Sequence, residues 1–142
     1  MMVRACDFPE VSYEEGTFAD VNKEDWFSET VAVAKDRGIV PSEMTIDGNL
    51  YPNKELTREE MCAISVLAYS ASARREASPM NLTQRFADIK DGPYTSYIDK
   101  AIGLRIVNGM SETTFAPSAN ITRAQAATIL KRLYLKIFNV NN

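Results

Sequence analysis

Apolar residues recur at helical spacing in several stretches of the chain, separated by segments rich in turn residues. The clearest stripe is Ala126, Ile129, Leu130, Leu133 and Ile137. It has the period of a helix with one buried face and predicts a helix from Arg123 to about Phe138. Met61, Ile64, Val66 and Leu67 predict another from about Arg58 to Ala71. Shorter helices are expected over Ser28 to Arg37, carrying Val31 and Ala34, and over Tyr97 to Leu104, carrying Ile98, Ala101 and Ile102. Gly38 closes the first of these at a position suited to a left-handed end. Asp47-Gly48-Asn49 and Asn108-Gly109 are turn chemistry, and Pro52 and Pro117 keep the chain extended before the next helix. The expected fold class is all-α, with small loops and a two-residue bridge near Leu50 and Phe115.

The two longer helices open alike. Leu56-Thr57-Arg58-Glu59-Glu60 and Ile121-Thr122-Arg123-Ala124-Gln125 each place a threonine at the N-cap and a Glu or Gln three residues on. There the side chain reaches back to the cap's own N–H, so Thr57 with Glu60 and Thr122 with Gln125 read as capping boxes. The arginines fit less well. Arg58 and Arg123 stand in the first turn, where the helix end is already positive and a cation costs roughly 0.3–1 kcal/mol. The same misplaced charge in two equivalent places suggests an anion docked beside it, since a helix N-terminus with an arginine fork suits a carboxylate or phosphate.

The similarity extends well beyond the caps. Phe18-Ala19-Asp20-Val21 recurs 68 residues on as Phe86-Ala87-Asp88-Ile89, and Trp26 corresponds to Tyr94. Ile39 and Val40 match Ile106 and Val107, and Pro52, Ile64 and Tyr69 match Pro117, Ile129 and Tyr134. This is a tandem repeat of a helix–loop–helix unit. Residues 18–70 and 86–138 form the two units and 71–85 a linker, in which Arg74-Arg75 reads as a solvated feature. Residues 1–17 read as a leader or remnant, ordered only if they dock on the rest.

Composition narrows the function. At 142 residues, 45% apolar and 25% charged, the chain has globular proportions. A net charge of -3 argues against general nucleic-acid binding. With no histidine, the commonest general base and metal ligand is missing. Cys6 and Cys62 lack metal-type spacing. No run approaches a membrane span, and the N-terminal residues lack the apolar core of a signal peptide. Glu59-Glu60 could suggest a paired-carboxylate site, but adjacent helix residues diverge. No catalytic residue, cofactor or metal site is expected.

Phe-x-Asp-Val, Trp, Ala-x-x-x-Gly-Ile-Val, Asp-Gly-x-x-x-Pro and Thr-Arg-x-[Glu/Gln], in that order and met twice, resemble the S-layer homology module. The resemblance covers 18–70 and 86–138. It implies non-covalent anchoring at the bacterial cell surface, outside the cell. The implied ligand is an acidic secondary wall polysaccharide, often carrying a pyruvate ketal. Position by position, it implies that Arg58 and Arg123 meet the ligand carboxylate. Asp20 and Asp88 accept hydroxyls or brace the groove, and Trp26 and Tyr94 face sugar or pack. Gly109 would let the loop backbone approach the sugar. As turn formers the two aspartates need no ligand at all, and Trp26 suits a hydrophobic plug equally well.

Family members commonly pack three modules about a pseudo-threefold axis. Two modules therefore imply an incomplete bundle, or a third module from another chain or segment, or a homo-oligomer. Departures from the pattern include Pro41-Ser42 where the family has Asn-Gly, Arg105 where the first unit has Gly38, and Ser111-Glu112 at the second turn. They favour an alternative in which the grooves are degenerate and the chain is a structural or protein–protein module.

Overall fold

A computed structural model describes residues 2–73 and 76–138. The elements are α1 (Met2–Ala5), α2 (Ser28–Asp36), α3 (Arg58–Ala73), α4 (Thr95–Gly103) and α5 (Arg123–Ile137), with single 3-10 turns at Ser42–Met44 and Leu82–Arg85. The fold is all-α. Among the described residues there is no β-sheet, only isolated bridges between Ile46 and Asn49 and between Thr57 and Asn120. The bridge expected near Leu50 and Phe115 is met only beside Leu50, by the Ile46–Asn49 pair, and neither Leu50 nor Phe115 takes part in one. Their amide N–H groups are spent on carboxylates instead, Leu50 on Asp20 and Phe115 on Asp88, so neither is free to build a ladder. The Arg74-Arg75 pair lies outside the described residues.

The repeat is visible in how the helices end as well as how they begin. After α2 the N–H of Ile39 donates to the Ala34 carbonyl, and after α4 the N–H of Ile106 donates to that of Ala101. Each is the six-to-one bond of a Schellman end, with a left-handed residue just before it: Gly38 at φ 66° and Arg105 at φ 59°. Ile39 and Ile106, the residues that follow, are both buried.

The longer helix of the first unit, α3, lies at the centre, whereas α5 buries only Ile129 and Leu133. α3 packs on α4 and α5, and α1, α3 and α5 touch one another pairwise. The main core joins Ile39, Met61, Cys62 and Val66 of the first repeat to Phe86, Ile98, Ile106, Phe115, Ile129 and Leu133 of the second. The units therefore share a core rather than standing side by side. Phe18 is held in a smaller cluster with Tyr13, Val21 and Ala32.

The leading residues, in which the sequence shows no pattern, dock on this frame. Met2 and Cys6 enter the main core. The buried Tyr13 hydroxyl donates to the Val21 carbonyl at 3.1 Å and accepts from the Phe18 N–H at 3.1 Å. The segment before the second repeat is fixed by one carboxylate. Asp99, buried on α4, accepts the N–H groups of Met80, Asn81 and Leu82.

Candidate functional site: the groove between the repeats

The start of α3 runs against the last loop of the second repeat, and the backbones pair. Ile121 donates to the Leu56 carbonyl at 2.9 Å, Arg58 N–H to Ala119 at 2.9 Å, and Glu59 N–H to Pro117 at 3.0 Å. The Asn120 amide also reaches the Glu55 carboxylate. These bonds, with the capping box, satisfy the otherwise unpaired donors of the first turn of α3. The Thr57 hydroxyl accepts the Glu60 N–H at 3.3 Å, and Glu60 accepts the Thr57 N–H at 2.9 Å. Glu60 also pairs with Lys54 at 2.9 Å. Burial raises the pKa of Glu60, but the Thr57 N–H and the Lys54 ammonium outweigh that, so the net shift is below the ordinary value.

Arg58 is buried, at 5% exposure. Its Nε donates to the Phe115 carbonyl at 2.9 Å and its Nη2 to the Asn108 carbonyl at 2.8 Å. The guanidinium lies 4.7 Å from the centre of the Phe115 ring, a cation–π contact. Burial pushes its pKa down while the charge of Asp88 counters that, and an arginine remains charged over the whole ordinary pH range. Burial pushes the Cys62 thiol beside it up to about 12, so the thiol stays protonated.

Arg58 forms one wall of a groove of about 280 Å³. The floor is Val107, Asn108 and Met110, from the loop after α4. The far wall is one face of α5: Ala124, Gln125, Thr128, Ile129 and Arg132. Two arginines line it, and no acidic side chain does. Arg132 was not among the residues singled out from sequence, because it lies beside the α5 core stripe and not on it. The spacing of Ala124, Thr128 and Arg132, one turn apart each time, is the signal that marks them as a common ridge.

The other candidate residues fall as follows. Arg123 is exposed at the start of α5, outside this groove. Thr122 and Gln125 make a complete capping box there, each bond 3.1 Å. Asp20 accepts the amides of Leu50 and Tyr51 at 2.8 and 2.7 Å, and Asp88 those of Phe115 and Ala116, the latter at 2.6 Å. Both carboxylates thus brace equivalent loops. Each loop contains a non-glycine residue in the left-handed region, Tyr51 at φ 56° and Ala116 at φ 57°. Burial alone would raise Asp88, but these amides and Arg58 hold it below its usual range.

What approaches Gly109 closely is Phe86. A Cβ at that position would penetrate the phenyl ring and lie 2.7 Å from the Ser111 carbonyl oxygen. Trp26 is 90% exposed, edge-on to Phe27. Tyr94 lines a second cleft of about 440 Å³ with Glu59, Asp88 and Lys90. Burial, followed by the charges of Glu60, Glu43 and Glu59, pushes its phenol up to about 12.

The clasped start of α3 and the groove between two like units define a tandem helical repeat module, and comparison with known proteins agrees. A family model described as "S-layer homology domain" matches residues 17–62 and 85–127. The chain belongs to the S-layer homology domain family, a non-catalytic family whose general role is anchoring at the cell surface.

Named relatives are similar over most or nearly all of the chain. An amylopullulanase of Thermoanaerobacterium thermosulfurigenes is 33% identical over 142 residues, which is 99% of this chain and 7% of that protein. Exoglucanase XynX of Acetivibrio thermocellus is 31% identical over 142 residues, 99% of this chain and 13% of the relative. A surface-layer 125 kDa protein of Lysinibacillus sphaericus is 28% identical over 120 residues, 81% of this chain and 10% of the relative. The chain therefore spans only a small part of each.

Proposed function

We propose that this chain anchors its protein to the bacterial cell wall by binding an acidic secondary wall polysaccharide in the groove beside Arg58. The observation that carries this reading is the groove itself, built by both repeats, with two arginines and no carboxylate. A guanidinium in partly dehydrated surroundings binds a carboxylate more strongly than it does in water. A pyruvate ketal presents such a carboxylate next to a methyl group, which suits Val107, Met110 and Ile129. The two units are taken as 18–70 and 86–138. In this reading Asp20 and Asp88 brace the loops, and Gly109 keeps the floor loop against Phe86. Trp26 and Tyr94 offer aromatic surface beyond the groove.

The test is co-sedimentation of the purified chain with cell-wall sacculi, before and after acid removal of their secondary polymer. Binding that is lost on stripping is expected. A folded chain that stays in solution with both preparations overturns the reading.

A second proposal concerns what covers the start of α5. In α3 the equivalent amides are bonded to Pro117 and Ala119. Among the described residues, those of Arg123 and Ala124 have no acceptor, and the carbonyls of Pro52 and Lys54, the counterparts of Pro117 and Ala119, accept nothing. Both halves of the clasp are thus open. A third unit of the same plan fits them, from another segment or another chain, and would make Arg123 the wall of a further groove. Sedimentation equilibrium of the chain tests self-association directly. A monomer at every concentration removes the homo-oligomer.

A further inference from the structure

Within the proposed anchoring groove, the two arginines are held in different ways. Arg58 is pinned by bonds of 2.9 and 2.8 Å to two backbone carbonyls. Arg132 reaches only the Ile106 carbonyl, at 3.5 Å, beyond the usual 2.7–3.2 Å range. It is half-buried, and among the described residues no carboxylate lies within ion-pair distance of it. Most of its five N–H donors are therefore uncommitted. A partly dehydrated cation with no partner is unfavourable unless something else supplies the negative charge.

Its repeat counterpart sharpens the point. The position equivalent to Arg132 in the first unit is Leu67, and that equivalent to Asn108 is Pro41. The pocket beside Pro41 and Ile64 there, of about 140 Å³, is lined by apolar side chains only, and Leu67 is not among them. The repeat does not need an arginine at this helix position in order to fold.

We propose that Arg132 is the residue that closes on the ligand's carboxylate, with Arg58 as a fixed wall, and that the chain has one such binding site. This inference rests on the anchoring reading above. The guanidinium fork of Arg132 takes both carboxylate oxygens, while Arg58 adds positive field without moving. Neutral polymers lose that contact, and the first unit, with Leu67, does not contribute a second site.

The test measures binding of wild type, Arg132→Gln and Arg132→Lys to sacculi that bear the secondary polymer. A parallel set of sacculi has its polymer carboxylates reduced to alcohols with carbodiimide and borohydride. Wild type should weaken by more than about tenfold on reduced sacculi. Arg132→Gln should show the same loss on native sacculi and no further loss on reduced ones. Arg132→Lys, with charge but no fork, should fall between. Melting of Arg132→Gln within a degree or two of wild type separates binding from folding. If wild type binds native sacculi and Arg132→Gln binds them equally well, the role of Arg132 is overturned and the groove reading stands. If wild type itself fails to bind, both are overturned.

Discussion

The starts of α3 and α5 have nearly the same sequence and opposite surroundings. Thr57-Arg58-Glu59-Glu60 is clasped by the other repeat, with Arg58 at 5% exposure and its backbone amides bonded to Pro117 and Ala119. Thr122-Arg123-Ala124-Gln125 has the same capping box, but Arg123 lies exposed with no partner among the described residues. A first-turn arginine is a liability when the helix end stands alone. At α3 that liability becomes a cross-repeat joint, because the Phe115 and Asn108 carbonyls and the Phe115 ring are brought to it. One local motif therefore does two jobs, and tertiary context decides which.

The largest expected effect breaks that comparison at its centre. Arg58→Ala removes two charge-assisted bonds and strands the carbonyls that received them. It should cost about 2–4 kcal/mol. Arg123→Ala touches no such bond and should stay within about 0.5 kcal/mol. Chemical denaturation of both variants checks this. Equal losses would mean that Arg58 does not join the repeats.

Next in size is the floor of the groove. Gly109→Ala drives a methyl group into the Phe86 ring, and overpacking of this kind costs about 1–3 kcal/mol. The equivalent residue of the first repeat is Ser42, so Ser42→Ala should be nearly neutral. A neutral Gly109→Ala, by denaturant midpoint, would show that the loop yields freely and that the close approach to Phe86 does not set its shape.

Much of this was legible in the sequence. The helices, the capping boxes and the repeat follow from apolar spacing and from Thr-x-x-Glu/Gln, which are local signals. The burial of Arg58 was not legible, because a first-turn arginine reads the same whether a distant loop covers it or not. Asp20 and Asp88 stayed ambiguous for the same reason, since their amide partners lie 30 and 27 residues away. Arg132 escaped notice because one charged side chain beside an apolar stripe ordinarily means a solvated helix face. Only the loop opposite turns that face into a wall.

The third prediction uses pH. Glu60 is titratable and Gln125 in the same place is not. The folded state holds Glu60 below its ordinary value near 4.5. Its stabilisation is therefore complete above that value and is lost as pH falls through the lower folded-state pKa. Asp88 acts in the same direction, with an ordinary value near 3.8. Glu59, raised by burial and then by Glu60, works against them. Glu60→Gln should flatten the acid-side loss of stability, whereas Gln125→Glu should steepen it. The gain is modest because Lys54 is mostly exposed and its pairing is weakened by solvent. Melting curves between pH 3 and 6 that superimpose for wild type and Glu60→Gln would remove the linkage.

The smallest effect lies at the helix ends. α2 and α4 finish in the same way, yet one uses Gly38 and the other Arg105 for the left-handed residue. A side chain in that conformation costs roughly 1–2 kcal/mol relative to a right-handed one, and glycine avoids the cost. Glycine loses part of this advantage because its unfolded chain is freer. Arg105→Gly should therefore stabilise by about 0.5–1 kcal/mol, and Gly38→Ala should destabilise by a similar amount. Arg105 is exposed and makes no ion pair among the described residues, so its side chain offers little stability to offset the strain. If Arg105→Gly instead lowers the melting temperature, the arginine contributes through a contact that folding alone does not explain, and a partner at that face becomes the next thing to seek.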